Sequence, residues 1–154
     1  MTKLTWEDIE KITDELALKI KASGFKPDYI IGLTTGGLIP LYFMVKKLDN
    51  NHKFLTIAAN SYGKNEKGEL VISYLPETDL SDKKILLVDE IVGTGDSLKE
   101  VSKILTDKYK VGELKTMTLV VLKDSKFYPD FYTLEEGGDW VVFPWDRYEF
   151  PEYF

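Results

Sequence analysis

The sequence predicts an α/β fold built on a mainly parallel sheet, and three observations predict it. Short apolar runs alternate with amphipathic runs through the middle of the chain, the pattern of strand–helix–strand units. The run KILLV at 84–88 is apolar without alternation, as a central parallel strand covered on both faces must be. Two small-residue stretches, TTGG at 34–37 and GTGDS at 93–97, each follow an apolar run and precede a helical one. Ligands of open parallel sheets sit beyond the carboxyl ends of the strands, so the loops at 34–37 and 89–97 mark the expected site. With 154 residues, 44% of them apolar, the chain reads as one domain over 1–154 with a full core.

Each element follows from local signals. Residues 6–23 read as a helix with Ile9, Ile12, Leu16 and Ile20 on one face. Thr5 and Asp8 form a capping-box pattern, Gly24 is a natural stop, and Pro27 bars continuation. DYIIGL (28–33) reads as a buried strand, and LIPLYFMVKKL (38–48) as a helix with Pro40 in its first turn. KFLTIAA (53–59) and LVISYL (70–75) read as strands, and the polar, Gly-containing stretch 60–70 between them as a mobile loop. After KILLV comes an amphipathic helix over 96–109, with Leu98, Val101, Ile104 and Leu105 apolar and Asp96 as its N-cap. LKTMTLVVL (114–122) is a further strand, DWVVF (139–143) a short apolar segment, and the chain closes on an aromatic tail. His52 lies beside two asparagines and reads as a surface residue.

Composition narrows the function. Lys and Arg number 20 against 26 for Asp and Glu, a net charge of −6, which argues against a nucleic-acid partner. No apolar run has the length of a membrane span, and the charged N-terminal stretch does not read as a signal peptide. There is no Cys, so disulfides and thiolate chemistry are excluded and a cytoplasmic location is expected.

The most informative stretch is ILLVDEIVGTGDSL, residues 85–98. Glycines let backbone close around a tetrahedral anion, a helix N-terminus offers unpaired amides, and Thr94 and Ser97 add hydroxyls. A phosphate monoester suits such a loop. Neither the Walker A spacing nor the G-x-G-x-x-G dinucleotide spacing is present. Asp89 and Glu90 would repel a phosphate unless they serve sugar hydroxyls or a hard cation such as Mg²⁺.

This stretch resembles the phosphoribosyl-pyrophosphate (PRPP) motif of type I phosphoribosyltransferases. Further segments are similar to those of small bacterial 6-oxopurine enzymes, acting on xanthine, hypoxanthine or guanine. IGLTTGGLIP resembles their pyrophosphate loop, NSYGKNEKGELV their flexible catalytic loop, and TLVVLK with WVVFPWD their purine-recognition segments. The resemblance implies a central parallel sheet flanked by helices, a flexible loop and a small C-terminal purine-binding hood. It implies transfer of the 5-phosphoribosyl group from PRPP to N9 of a 6-oxopurine in purine salvage, with Mg²⁺ as cofactor, by a homodimer or homotetramer.

Carried over by position, the resemblance gives Asp89 and Glu90 to the ribose hydroxyls and Mg²⁺, with Asp146 also reaching the metal. Gly93, Thr94, Gly95, Asp96 and Ser97 would bind the 5-phosphate. Thr34, Thr35, Gly36 and Gly37 would bind pyrophosphate, and the family's non-proline cis peptide would fall at Thr34–Thr35. Lys123 would donate to the purine 6-oxo group, Trp140 would stack on the base, and the Val141 backbone would meet its edge. Ser61 and Tyr62 would close over the reacting groups. Two positions depart from the family pattern: Gly93 stands where a third acid is usual, and Thr35 where a basic residue is common. Arg147 and Lys64 are the candidates to supply the missing positive charge. These departures keep two alternatives open: a regulatory PRPP- or nucleotide-binding protein without turnover, and a transferase for another base.

Overall fold

The computed structural model describes residues 1–48, 53–62, 69–137 and 140–154, with Ser61 and Tyr62 described by their backbone alone. The chain opens with a short strand β1 (Thr2–Lys3) and helix α1 (Trp6–Ala22). The Thr5–Asp8 capping box forms in both directions: the Asp8 amide donates to Thr5 Oγ1 at 3.1 Å and the Thr5 amide to Asp8 Oδ2 at 2.8 Å. The buried face of α1 carries Ile9, Ile12, Leu16 and Ile20, as their spacing requires. Gly24 ends the helix region at φ +78°, a conformation that favours glycine.

Strand β2 (Tyr29–Thr34) leads through a tight turn into α2 (Leu38–Lys47). Then come β3 (Phe54–Tyr62), β4 (Glu69–Tyr74), β5 (Lys84–Val92), α3 (Asp96–Asp107) and β6 (Glu113–Leu122). Two short strands follow, β7 (Leu134–Glu136) and β8 (Val141–Val142), and then two 3₁₀ turns, Pro144–Tyr148 and Pro151–Tyr153.

The main sheet has the order β4-β3-β2-β5-β6-β7, parallel throughout except for the antiparallel β3–β4 pair. From β2 the chain moves outward to β3 and β4, then returns to the other side of β2 to lay down β5. The connections leaving β2 and β5 therefore diverge, and a crevice opens between their carboxyl ends. Residues of α1 and α2 pack on one face of the sheet with Leu86, Val88, Met117 and Leu119. Leu98, Val101 and Leu105 of α3 pack on the other, with Ile31, Ile85 and Leu87. Covering on both faces is why KILLV can be apolar throughout.

The structure corrects the expected boundaries at three places that bear on the site. Asp89 and Glu90 are not loop residues: β5 continues through them to Val92. The helix beginning at Asp96 has Gly95, not Asp96, as its N-cap. The stretch 60–70 is not all loop, because β3 reaches Tyr62 and β4 begins at Glu69, paired with each other. Residues 63–68, Lys64 among them, lie outside the described residues, as do His52, Gly138 and Asp139. Ala58 is level with Thr34, so the β3 arm extends about 13 Å beyond the end of β2, on the side of the crevice.

The sequence pattern did not announce β1, β7 or the 3₁₀ turns. Both strands are too short for periodicity to register. Yet β1 fixes the segment that follows residue 139: the Thr2 amide donates to the Trp140 carbonyl and the Leu4 amide to that of Val142, each at 2.9 Å. No helix among the described residues is long and apolar enough to cross a membrane.

Candidate functional site

Two clefts meet at the end of β5. One, of about 230 Å³, is lined by Asp89 and by residues 91–98. The other, of about 320 Å³, is lined by Glu90, Leu122, Trp140, Val141 and Phe143, with Asp146, Glu149 and Phe150 at its rim. Ile91 and Gly93 line both. Asp89 and Glu90, adjacent in sequence, therefore serve different clefts. Successive residues of a strand project to opposite faces, and the two acids end β5 in that way.

The smaller cleft is backbone-rich. Gly95 sits at φ +93° at the start of α3, and no described side chain caps that helix. A Cβ on Gly95 would lie 2.5 Å from Phe127 Cβ, so only glycine fits. A Cβ on Gly93 would meet nothing within 4 Å. The Asp96 carboxylate turns away to accept from the Thr94 hydroxyl at 3.1 Å and the Asp96 amide donates to Thr94 Oγ1 at 3.3 Å, so Gly95, the N-cap, leaves the next amides of α3 without a side-chain cap. The remaining unpaired amides, the positive end of a helix and the Ser97 hydroxyl suit a tetrahedral anion.

The loop at 34–37 forms the adjoining wall. The Thr34–Thr35 peptide is cis, where the resemblance put it. Thr35 is exposed, and its carbonyl accepts from the Leu38 amide at 3.0 Å. Gly37 is buried between β2 and β5; a Cβ there would lie 2.6 Å from the carbonyls of both Leu33 and Val88. Gly36 faces the acid: a Cβ there would lie 2.6 Å from Glu90 Oε1. This loop thus carries Gly36 directly against the Glu90 carboxylate.

The two acids are electrostatically loaded. Burial pushes the Asp89 carboxyl up to about 8; the Glu90 charge adds to the rise and the hydrogen bond from the Glu90 amide, at 2.8 Å, opposes it. Burial pushes Glu90 up to about 7; the Trp145 indole bond opposes the rise, and Asp146 and Glu149 reinforce it. Such a pair has much to gain from a cation or from hydroxyl donors. Asp146 is only half available: its Oδ2 accepts from the Phe143 amide at 2.8 Å and caps the 3₁₀ turn. Among the described residues no group of three or more acids and His forms a metal cage. The hard oxygen donors present fit Mg²⁺ in its usual manner, held by one or two carboxylates together with ligand phosphates.

The larger cleft is apolar and aromatic. Trp140 is 54% exposed, so it is not a core residue. Its ring is held edge-on by Phe150, with centroids 5.2 Å apart and an interplanar angle of 84°. The β1 strand engages the Trp140 and Val142 carbonyls, so the Val141 amide and carbonyl, on the alternate edge of β8, point away from β1. Leu122 lines the cleft; Lys123, the next residue, stands exposed on the turn after β6. Its amide donates to the Glu136 carbonyl and its own carbonyl accepts from the Tyr128 hydroxyl. Arg147 is exposed on the turn after Asp146 and lines neither cleft.

Sequence reasoning missed three contributors. Trp145 donates from Nε1 to Glu90 Oε2 at 2.7 Å. Glu149 and Phe150 reach the cleft from the aromatic tail. The only signal was the density of aromatic and acidic residues over 140–150, which names a surface and no particular contact. The tail itself packs on its own domain: the Lys3 ammonium lies 4.4 Å from the Phe154 ring centroid, while Tyr148 stays 95% exposed.

Known proteins resemble this chain in sequence and fold. The phosphoribosyl transferase domain matches residues 4–149. The hypoxanthine-guanine phosphoribosyltransferase of Aquifex aeolicus is 32% identical over 143 residues, 88% of this chain and 80% of that one. Among solved structures, the purine phosphoribosyltransferase from Pyrococcus horikoshii aligns with a TM-score of 0.83 at 30% identity, covering 94% of this chain and 92% of that one. The xanthine-guanine-hypoxanthine phosphoribosyltransferase of Helicobacter pylori aligns with a TM-score of 0.84 at 26% identity, covering 99% of each. With a family match over residues 4–149 and a relative 32% identical over 88% of the sequence, this chain belongs to the phosphoribosyl transferase family.

Proposed function

We propose that the protein transfers the 5-phosphoribosyl group of PRPP to N9 of a 6-oxopurine, releasing pyrophosphate, in purine salvage. The observation that carries this reading is the pair of clefts back to back across residues 91–93, one built for an anion and one for a flat apolar ring. A ribose spanning Ile91 and Gly93 would place its 5-phosphate on residues 93–97 and its base against Trp140. The hydroxyls of that ribose would then lie over Asp89 and Glu90.

Cleavage of the bond at C1 builds positive charge on the sugar. Asp89 and Glu90 stabilise that charge from fixed positions, which is worth more in an enclosed site than in water. Mg²⁺, when bound, neutralises charge on the departing pyrophosphate. Asp89, Glu90 and the free oxygen of Asp146 would hold it directly or through water, together with the ligand phosphates. Residues 34–37 and Arg147 would take the pyrophosphate. Trp140 would stack on the purine, the Val141 backbone would meet its edge, and Lys123 would swing in toward the 6-oxo group. Ser61 and Tyr62, at the tip of the β3 arm, would cover the reacting atoms and exclude water. The lack of Cys and of a membrane-spanning helix among the described residues accords with a cytoplasmic enzyme. A dimer or tetramer follows from the family alone.

A second reading has one observation in its favour. Gly93 leaves open space on the wall shared by the two clefts, where relatives usually carry an acid. A protein that binds PRPP without turnover would tolerate that loss. Incubation with PRPP and Mg²⁺ plus hypoxanthine, guanine, xanthine or adenine separates the readings. The first predicts nucleotide and pyrophosphate with at least one oxopurine and none with adenine. PRPP binding with no product from any base would establish the second.

A further inference from the structure

Glu90 is gripped from two sides. Its Oε1 faces Gly36, and its Oε2 accepts the Trp145 indole N–H at 2.7 Å. Trp145 is itself immobilised. Its ring stacks on Phe143, with centroids 4.9 Å apart and an interplanar angle of 10°, and Trp6 at the start of α1 packs against it at 5.8 Å. Phe143 is 2% exposed, so the stack is anchored in the core. The turn carrying Trp145 is capped by Asp146, through the Phe143 amide. An anchored donor aimed at one oxygen of a functional carboxylate fixes its rotamer and leaves the other oxygen directed at the crevice.

We infer that Trp145 is a positioning residue: it holds Glu90 in the orientation in which that carboxylate meets the sugar and its cation, and so links the C-terminal turn to the chemistry at β5. The inference rests on the transfer reaction proposed above for its kinetic consequence, and on the hydrogen bond alone for its structural one. Trp145 does not itself line the base cleft, and Trp145→Phe keeps the ring that backs Phe143 there, so loss of the donor alone falls on Glu90 and the reacting sugar and not on purine affinity. Packing and hydrogen bonding are separable, because Trp6 touches the same ring without bonding to Glu90.

Trp145→Phe retains a ring to stack on Phe143 and removes only the donor. Its kcat falls about 10–100-fold, while KM for the purine stays within about twofold and the circular dichroism spectrum is unchanged. Trp6→Leu loosens the packing and leaves kcat within about twofold of wild type. Equal kcat for Trp145→Phe and wild type overturns the inference. So does a loss in Trp6→Leu as large as that in Trp145→Phe, since the effect would then be one of packing. A readout without turnover stands beside these. The chain has three Trp, and the indole N–H cross-peak that disappears in Trp145→Phe is the one that shifts in Glu90→Ala. If the wild-type protein turns over no base, the proposed reaction has failed and this cross-peak decides alone: a shift upholds the inference, and an unmoved peak overturns it.

Discussion

The two loops at the crevice stand side by side, yet they are held by different means. The 34–37 loop is shaped by its neighbours. Gly37 has backbone carbonyls of β2 and β5 within 2.6 Å of where a side chain would begin, and Gly36 has Glu90 at the same distance. The 93–97 loop is tied down on one side, by Gly95 beneath Phe127 and by the Lys126 amide donating to the Thr94 carbonyl at 3.1 Å, while Gly93 faces open space and the Thr94 side chain is exposed. The difference teaches how glycine is used. In the first loop it permits close approach between parts of the protein. In the second, it leaves the backbone bare for a guest.

The comparison can be broken most forcefully at the acids between the loops. Asp89→Asn with Glu90→Gln keeps shape and removes charge. Turnover falls by at least about 10²-fold, while far-ultraviolet circular dichroism stays native; unchanged turnover would remove both residues from the mechanism. Gly36→Ala comes next. Its methyl would displace the end of a flexible Glu90 side chain, so kcat falls about tenfold or more with little change in melting temperature. Gly37→Ala does the reverse in kind: its clash is with backbone, and stability drops by about 1–3 kcal/mol, measured by urea denaturation. If the two variants behaved alike, the division of labour within 34–37 would be wrong.

A smaller effect appears in the pH dependence of stability. The folded chain keeps protons on Asp89 and Glu90 up to about 8 and about 7, against ordinary values of 3.8 and 4.5. The unfolded state releases these protons first, so it binds fewer of them between pH 4 and 8. Stability of the free protein therefore falls as pH rises through that window. The Asp89→Asn, Glu90→Gln variant lacks the loss, so its stability relative to wild type, read by urea denaturation, rises from pH 5 to pH 8. Added ligand with its cation would offset the same penalty. The smallest effect is at Gly93, where Ala meets no obstacle and stability changes by less than about 0.5 kcal/mol.

The fold was legible where burial imposes a pattern. Ile9, Ile12, Leu16 and Ile20 mark the inner face of α1, and the unbroken apolar run at 84–88 marks the strand buried on both sides. Its end was not legible, because Asp89 and Glu90 look like a loop when their pairing to β6 is unseen. The N-cap was misread for a related reason: Asp96 has the right chemistry, but Gly95 alone can take the required φ beneath Phe127. The small-residue loops and paired acids gave away the crevice, since their chemistry is local in sequence. The Trp145–Glu90 bond joins residues 55 positions apart, and no local pattern encodes which of three tryptophans makes it. Lys123 shows the opposite limit: its position is evident from the strand end, but here its side chain lies outside the cleft lining.

A crystal soaked with a purine nucleoside 5-monophosphate tests the central claim most directly. The account predicts the phosphate against the amides of residues 93–97, the ribose hydroxyls toward Asp89 and Glu90, and the base on Trp140. A phosphate bound anywhere else, with the 93–97 loop left empty, would contradict it.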